Sequence, residues 1–166
     1  MQASALVVGI DQYDRAPALS GAVKDALEAV QWLLQIGLQP ARIRLHISPI
    51  PGAPVPLPTG ITAQGATRDE IWKSITALRA ETGDRLYVLL SGHGFYLAES
   101  GPIYLCRDWS LDDSPDKNLG IYAYADFFSS FGFLDQFFVV DACQNYDVDP
   151  RDRSSIRPGQ IGRAHV

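Results

Sequence analysis

The chain has 166 residues, of which 46% are hydrophobic and 20% are charged, and its formal net charge is −5. This length and composition are typical of one soluble domain with a sizeable core. The acidic balance and the lack of a basic run exclude a typical nucleic-acid-binding protein. The short apolar stretches fall far below the roughly 20 residues that cross a membrane. Two cysteines and an N-terminus without a signal-peptide pattern favour a reduced, cytoplasmic setting.

Strand and helix patterns alternate through the N-terminal half. A nearly continuous apolar run at residues 5–10 predicts a strand that is buried on both faces. Apolar residues within 20–36 recur at helical spacing, and an alternating pattern at 43–47 predicts a second strand. Five prolines and three glycines within 48–65 exclude a helix or a central strand, so we expect a long surface loop there.

The C-terminal half continues the alternation. Thr67 and Glu70 have the spacing of a capping box, which predicts a helix that runs to about residue 81. The elements predicted after it are a strand at 85–90, a hairpin at 95–105, an acidic loop at 108–117, a helix at 122–131 and a strand at 137–141. We expect one domain at 1–147 and a polar, flexible tail at 148–166.

This order of elements predicts an α/β protein with an open, mostly parallel sheet and helices on both faces. Functional residues in such sheets lie at the carboxyl ends of the strands. Ser91-Gly92-His93-Gly94 follows the third predicted strand, and Asp141-Ala142-Cys143 follows the fourth. If these two strands are neighbours, then a histidine and a cysteine meet at one edge of the sheet. This is the arrangement of a thiol nucleophile with its imidazole base.

The chemistry of such a pair assigns a role to each group. An ordinary thiol has a pKa of about 8.5, so the Cys143 sulfur needs His93 to accept its proton or to stabilise the thiolate. The main-chain amides of Gly94 and Cys143 are candidate donors to the oxyanion of a tetrahedral intermediate. We expect Cys106 and His46 to be buried structural residues.

The two motifs resemble the His and Cys motifs of the caspase, metacaspase and orthocaspase superfamily. The separation of His93 and Cys143 matches the spacing of about 50 residues known for caspases. Gly9-Ile10-Asp11-x-Tyr13 and Leu19-x-Gly21-x-x-x-Asp25-Ala26 resemble the opening of bacterial and plant-type members. The resemblance spans residues 4–146. It implies the three-layer α/β/α caspase-like (caspase-hemoglobinase) fold and a cysteine endopeptidase that acts through an acyl-enzyme.

Two acidic residues carry the implied specificity. Metacaspases have Asp two residues before the nucleophile and cleave after Arg or Lys, so the resemblance assigns Asp141 to a pocket for a basic side chain. Asp25 matches a second acid of that pocket. The alternatives are a local turn bond for Asp141 and an interaction with the helix dipole for Asp25. Gln144-Asn145 departs from the His-Ser-Gly that follows the metacaspase nucleophile.

The end of the chain limits the expected activity. Nothing after Asn145 resembles the further strands, helices and pocket loop of the family's catalytic domain, so we expect the large-subunit half with the C-terminal half missing. A C-terminal subunit, a dimer or an activating partner would then complete the site around the peptide substrate. The alternatives are a latent or inactive regulatory or assembly module, and another thiol hydrolase or transferase.

No cofactor or metal site is predicted from the residues. Two cysteines without a histidine at ligand spacing make no zinc site. The acidic loop at 108–117 lacks the spacing of an EF-hand calcium site. Because some metacaspases need calcium, the resemblance leaves calcium dependence open.

Overall fold

A computed structural model describes residues 2–97, 101–114 and 116–142 of the chain. Its strands are β1 (Ala3–Ile10), β2 (Ile43–Ser48), β3 (Ala63–Gln64), β4 (Thr82–Gly92), β5 (Gly94–Leu97), β6 (Gly101–Leu105), β7 (Asn118–Gly120) and β8 (Gly132–Ala142). Its α-helices are α1 (Ala22–Gln35), α2 (Arg68–Leu78) and α3 (Ile121–Ser129), and a short 3-10 turn at Pro40–Arg42 precedes β2.

Five strands form the main sheet in the order β3-β2-β1-β4-β8, and every neighbouring pair is parallel. All eight residues of β1 are buried, as expected for the central strand of a sheet that is covered on both faces. The strands β5, β6 and β7 form a separate antiparallel sheet. The predicted open, mostly parallel sheet is therefore confirmed.

The helices cover both faces of the main sheet. The buried stripe of α1 packs on alternate residues of β1, β2 and β4 in one apolar cluster, which includes Val30, Val7 and Leu45. The helices α2 and α3 pack on the opposite face in a second cluster, which includes Ile75 and Phe128. These three layers confirm the predicted α/β/α architecture.

Helix α2 begins where the sequence predicts. The Thr67 side chain accepts from the Glu70 N–H at 3.3 Å, and the Glu70 carboxylate accepts from the Thr67 N–H at 3.0 Å. Hydrogen bonds from the Thr67 side chain and main chain lower the pKa of Glu70, because they stabilise the carboxylate. The capping box is confirmed.

The strand boundaries differ from the prediction where pairing extends a strand past its apolar segment. Strand β4 begins at Thr82, three residues before the predicted start at 85, because Thr82 pairs with Gly132 and the Asp84 N–H donates to the Gln2 carbonyl at 2.7 Å. Strand β8 likewise begins at Gly132, five residues before the predicted start at 137. The strands β3 and β7 are short and were not predicted.

Candidate active site

The carboxyl ends of β4 and β8 lie side by side. The parallel register pairs Ser91 with Asp141 and Gly92 with Ala142. In the sequence His93 directly follows Gly92, and Cys143 directly follows Ala142. The predicted neighbourhood of the third and fourth predicted strands is confirmed. Cys143 lies outside the described residues.

The imidazole of His93 is held by a main-chain carbonyl. His93 lies between the end of β4 and the start of β5, and its Nε2 is 2.9 Å from the Pro17 carbonyl oxygen. A carbonyl only accepts hydrogen bonds, so this contact selects the tautomer in which Nε2 carries the proton. In neutral His93 the other ring nitrogen, Nδ1, is then the basic one.

The surroundings of His93 favour its neutral form. The side chain is half-buried, and burial lowers its pKa because the charged imidazolium loses hydration. The hydrogen bond to the Pro17 carbonyl acts in the opposite direction and is the smaller effect. A neutral imidazole at pH 7 can accept a proton, which is what a general base requires.

Two buried tyrosines hold the main chain on either side of Gly92. The His93 N–H donates to the Tyr13 hydroxyl at 2.7 Å, and the Tyr104 hydroxyl donates to the Ser91 carbonyl at 2.8 Å. A Cβ on Gly92 would lie 2.6 Å from the Tyr13 hydroxyl and 2.9 Å from the Tyr104 hydroxyl. Gly92 is therefore required by close packing against these two hydroxyl groups.

Three polar residues lie on the α1 face of the sheet at the edge that carries His93. Ser91 Oγ donates to Asp25 Oδ2 at 3.1 Å, so Ser91 points toward α1. Its register partner Asp141 projects to the same face. The stacking of Phe137, two pleats earlier on β8, against Tyr87 identifies this face independently. Asp25 and Asp141 are both exposed, so their carboxylates are accessible to a ligand.

Helix α1, which carries Asp25, is capped from a distance. Its first residues lack a local side-chain cap, and the buried carboxylate of Asp11 accepts hydrogen bonds from the N–H groups of Gly21, Ala22 and Val23 at 3.1, 2.9 and 3.4 Å. This contact places a negative charge at the positive end of the helix dipole. It also ties the end of β1 to the helix that presents Asp25.

Gly94 begins β5, opposite Tyr104 of β6. The Leu105 N–H donates to the His93 carbonyl at 2.9 Å, which makes Gly94 and Tyr104 a non-hydrogen-bonded pair of this antiparallel ladder. The ladder between β5 and β6 therefore does not use the Gly94 N–H. In this register the Gly94 N–H points away from β6. It faces the side of β5 from which a ligand could approach.

Sequence reasoning assigned no role in this site to Tyr13, Pro17, Ser91 or Asp11. Tyr13 and Asp11 were visible within the motif at 9–13, and Ser91 within the His motif, but the motifs did not indicate what each residue contacts. Pro17 contributes a main-chain carbonyl, which leaves no side-chain signature. Asp11, Tyr13 and Pro17 make their contacts where the loop after β1 crosses the ends of β4 and α1. Ser91 makes its contact directly between β4 and α1.

His46 and Cys106 are buried structural residues, as predicted. His46 is fully buried, with Nδ1 2.6 Å from the Gly65 carbonyl and Nε2 2.8 Å from Ser74 Oγ. Cys106 is fully buried, and burial raises the pKa of its thiol far above the ordinary value, so it is no nucleophile.

Two further observations concern metals and membranes. Over residues 2–97, 101–114 and 116–142, no cluster of three or more His, Cys, Asp or Glu side chains has the geometry to hold a metal ion. Within the same ranges, none of the helices has both the length and the apolar character needed to cross a membrane.

Comparison with known proteins agrees with this geometry. The family model of the caspase domain matches residues 2–161. A protein named as a probable protease, from a Desulfuromonadales bacterium, is 39% identical over 156 residues, which cover 87% of this chain and 18% of the relative. The chain thus spans less than a fifth of the length of that curated relative. With its parallel sheet, flanking helices and a His motif at the end of β4, the chain belongs to the family of caspase-domain peptidases.

Proposed function

We propose that this domain is a cysteine endopeptidase that hydrolyses peptide bonds after Arg or Lys, with His93 and Cys143 as its catalytic dyad. The proposal rests above all on the register of β4 and β8. The last register pair is Gly92 with Ala142. In the sequence His93 follows the first and Cys143 follows the second, and these are the two members of the proposed dyad. No other cysteine competes for the role, because Cys106 is buried and its thiol pKa is raised.

The reaction begins at the free nitrogen of His93. With Nε2–H bonded to the Pro17 carbonyl, Nδ1 accepts the Cys143 proton, and the thiolate attacks the carbonyl carbon of the scissile bond. The imidazolium then returns the proton to the leaving amine. The resulting thioester is the acyl-enzyme, and water activated by the same imidazole hydrolyses it.

The oxyanion of the tetrahedral intermediate needs preorganised donors. The N–H of Gly94 is a suitable one, because it takes no part in the ladder with β6 and points away from it. The main-chain N–H of Cys143 is the second donor of the proposal. Loss of one such donor typically costs about 2.7–4 kcal/mol of transition-state stabilisation.

The preference for a basic side chain comes from Asp25 and Asp141. Asp25 accepts a hydrogen bond from Ser91, and Asp141 is the register partner of Ser91 on β8, so both acids lie on the α1 face near Ser91. Two neighbouring negative charges complement a guanidinium or an ammonium group and repel an acidic one. This arrangement supports cleavage after Arg or Lys over cleavage after Asp.

The test compares two peptides that differ only at the residue before the cleaved bond, Arg in one and Asp in the other. We expect the Arg peptide to be hydrolysed preferentially and Cys143→Ala to abolish hydrolysis. Cys106→Ala is the matched control, because it removes the buried thiol and leaves the proposed nucleophile. Hydrolysis that survives in Cys143→Ala, or a preference for Asp, would refute the proposal.

A second candidate is a latent domain whose activity requires more polypeptide at β8. One specific observation favours it. Leu134, Phe137 and Val139 of β8 are 84%, 43% and 56% exposed, and among the described residues only β4 pairs with this strand. A long strand with an open edge and exposed apolar side chains is a site for strand addition. We propose that a C-terminal subunit or a second copy covers it.

Mass measurement and activity separate the two candidates. If β8 requires a cover, the isolated chain is expected to turn over peptides slowly as a monomer and faster with a covering polypeptide or as a dimer. Leu134→Lys, which charges the edge without touching His93, should reduce association measured by light scattering. A monomer with protease turnover that the covering polypeptide does not raise would contradict the latent state.

A further inference from the structure

Tyr13 contacts His93 at both its main chain and its ring. The His93 N–H donates to the Tyr13 hydroxyl at 2.7 Å, and the centroids of the two rings are 4.9 Å apart at a tilt of 43°. Tyr13 is only 2% exposed and belongs to the core cluster under α2 and α3. A side chain held this firmly restricts the imidazole that packs against it.

The loop that carries Tyr13 also supplies the second contact of the imidazole. Pro17, four residues later, accepts the Nε2 hydrogen bond. His93 is therefore held at its main chain by one residue of this loop and at the far side of its ring by another. Because the two contacts come from one short loop, a shift of Tyr13 would alter the orientation of the imidazole.

The loop is itself anchored at several points. The N–H groups of Asp11 and Gln12 both donate to the Ser48 carbonyl at 2.9 Å, and the Asp14 N–H donates to the Arg107 carbonyl at 3.0 Å. The Leu19 N–H closes the loop by donating to the Asp11 carbonyl at 2.7 Å. Tyr13 thus connects His93 to a loop that is itself held by main-chain hydrogen bonds.

The hydroxyl of Tyr13 stays protonated under ordinary conditions. Burial raises its pKa far above the value of a free tyrosine, so at neutral pH it is a neutral group whose oxygen can accept the His93 N–H. The glycine at position 92 belongs to the same arrangement, because any side chain there would meet this hydroxyl.

We propose that Tyr13 is a positioning residue of the dyad: its hydroxyl fixes the main chain of His93 and its ring fixes the imidazole, so that Nε2 stays on Pro17 and Nδ1 remains the base. This inference rests on the proposed function of His93. It adds a group that acts on the reaction through the orientation of the base.

The first test needs no catalytic turnover. In the full chain, the ¹⁵N signals of the His93 ring, assigned with His93→Gln, report its tautomer and its titration. We expect the wild type to carry the proton on Nε2 and Tyr13→Phe to give mixed tautomers. Tyr104→Phe is the matched control, because it removes a buried hydroxyl from the neighbouring Ser91 carbonyl and leaves both His93 contacts intact. It should keep the wild-type tautomer.

The second test measures kinetics on the Arg peptide. We expect Tyr13→Phe to lower kcat about tenfold with KM unchanged within about twofold, since the substrate pocket is not touched. If the phenylalanine variant unfolds, 4-fluorophenylalanine at position 13 keeps the shape of the side chain while losing most of its hydrogen bonding.

Failure of the positioning role of Tyr13 can be distinguished from failure of the proposed peptidase function. Wild-type tautomers in Tyr13→Phe, or equal changes in Tyr104→Phe, would overturn the positioning role whether or not the chain cleaves peptides. Hydrolysis that survives in Cys143→Ala would refute the dyad and leave the ring spectra as an independent measurement of the Tyr13 contact.

Discussion

Ser91 of β4 donates a hydrogen bond to Asp25 of α1 across 3.1 Å, and this contact joins the His motif to the helix on the face where Asp141 also projects. The bond orients one carboxylate of the proposed pocket, while the second lies on the neighbouring strand. A single serine in the His motif therefore links the proposed base His93 to Asp25, which we propose as a specificity residue.

The first prediction concerns the charge of Asp25. We expect Asp25→Asn to raise KM for a peptide with Arg at the cleaved position about tenfold, since a hydrogen bond to a charged group contributes about 1.5–3 kcal/mol. The effect on kcat should be small because His93 is untouched. Steady-state kinetics on Arg and Gln peptides measure the change.

Glu28→Gln is the control for this prediction. Glu28 is an exposed acid one turn further along α1, where it pairs with Lys24 at 3.6 Å. Glu28→Gln should leave KM for the Arg peptide unchanged. An equal rise of KM in both variants would indicate a general charge effect and not a pocket.

The second prediction tests the packing around Gly92. A Cβ at this position meets the hydroxyl groups of Tyr13 and Tyr104, so Gly92→Ala should lower the free energy of unfolding by about 1–3 kcal/mol, as overpacked sites do. Urea unfolding measures the loss. Gly120→Ala is the control, because a Cβ there meets its nearest atom at 3.9 Å.

A double variant sharpens the second prediction. If the collision with the hydroxyl is the cause, then adding Tyr13→Phe to Gly92→Ala should cost less than the sum of the two single changes, because residues in contact do not add independently. Simple additivity would show that Gly92 is required for another reason.

The third prediction concerns the cap of α1. Asp11→Ala removes the carboxylate that accepts from three N–H groups at the start of the helix. We expect a loss of about 0.5–2 kcal/mol in the free energy of unfolding, the range of lost helix caps. The comparison is Asp14→Ala, which removes a surface ion pair with Arg107 and should cost about 0–1 kcal/mol. Equal losses would contradict the capping role.

The fourth prediction concerns the pH dependence of stability. Burial lowers the pKa of His46 in the folded chain, with a smaller lowering contribution from Arg44 and opposing contributions from the Gly65 carbonyl and Glu70. Below the ordinary pKa of about 6.5 the unfolded chain binds a proton at this residue that the folded chain does not. The stability that neutral His46 contributes is therefore fully present above about pH 6.5. It is lost as the pH falls from that value toward the lower pKa of the folded chain.

Urea unfolding at pH 7 and pH 5 tests this prediction. His46→Gln removes the titrating ring, so the decrease in stability between the two pH values should be smaller in the variant than in the wild type, even though the variant is less stable at both. Equal decreases would mean that other groups account for the pH dependence.

Local sequence patterns were sufficient to predict much of the fold. The buried run of β1, the stripe of α1 and the capping box of α2 depend on contacts between residues that are near in the chain or on simple periodicity, so the sequence predicts them. The two motifs at 91–94 and 141–143 also predicted the neighbouring strands, because parallel strands bring their carboxyl ends to one edge. Pairing partners far away in the chain extended β4 and β8 past their apolar segments, and no local pattern contains that information.

The sequence by itself determined the motif residues and the order of the three helices and the longer strands of the main sheet. Only the tertiary structure decided which groups hold His93 and Asp25. The Pro17 carbonyl, the Tyr13 hydroxyl and the Asp11 carboxylate reach their partners across 76, 80 and 10 to 12 positions of the chain. Hydrogen bonds depend on distances of about 3 Å and on direction. These conditions are set by how the loop after β1 packs over the sheet edge, and residue spacing does not encode them.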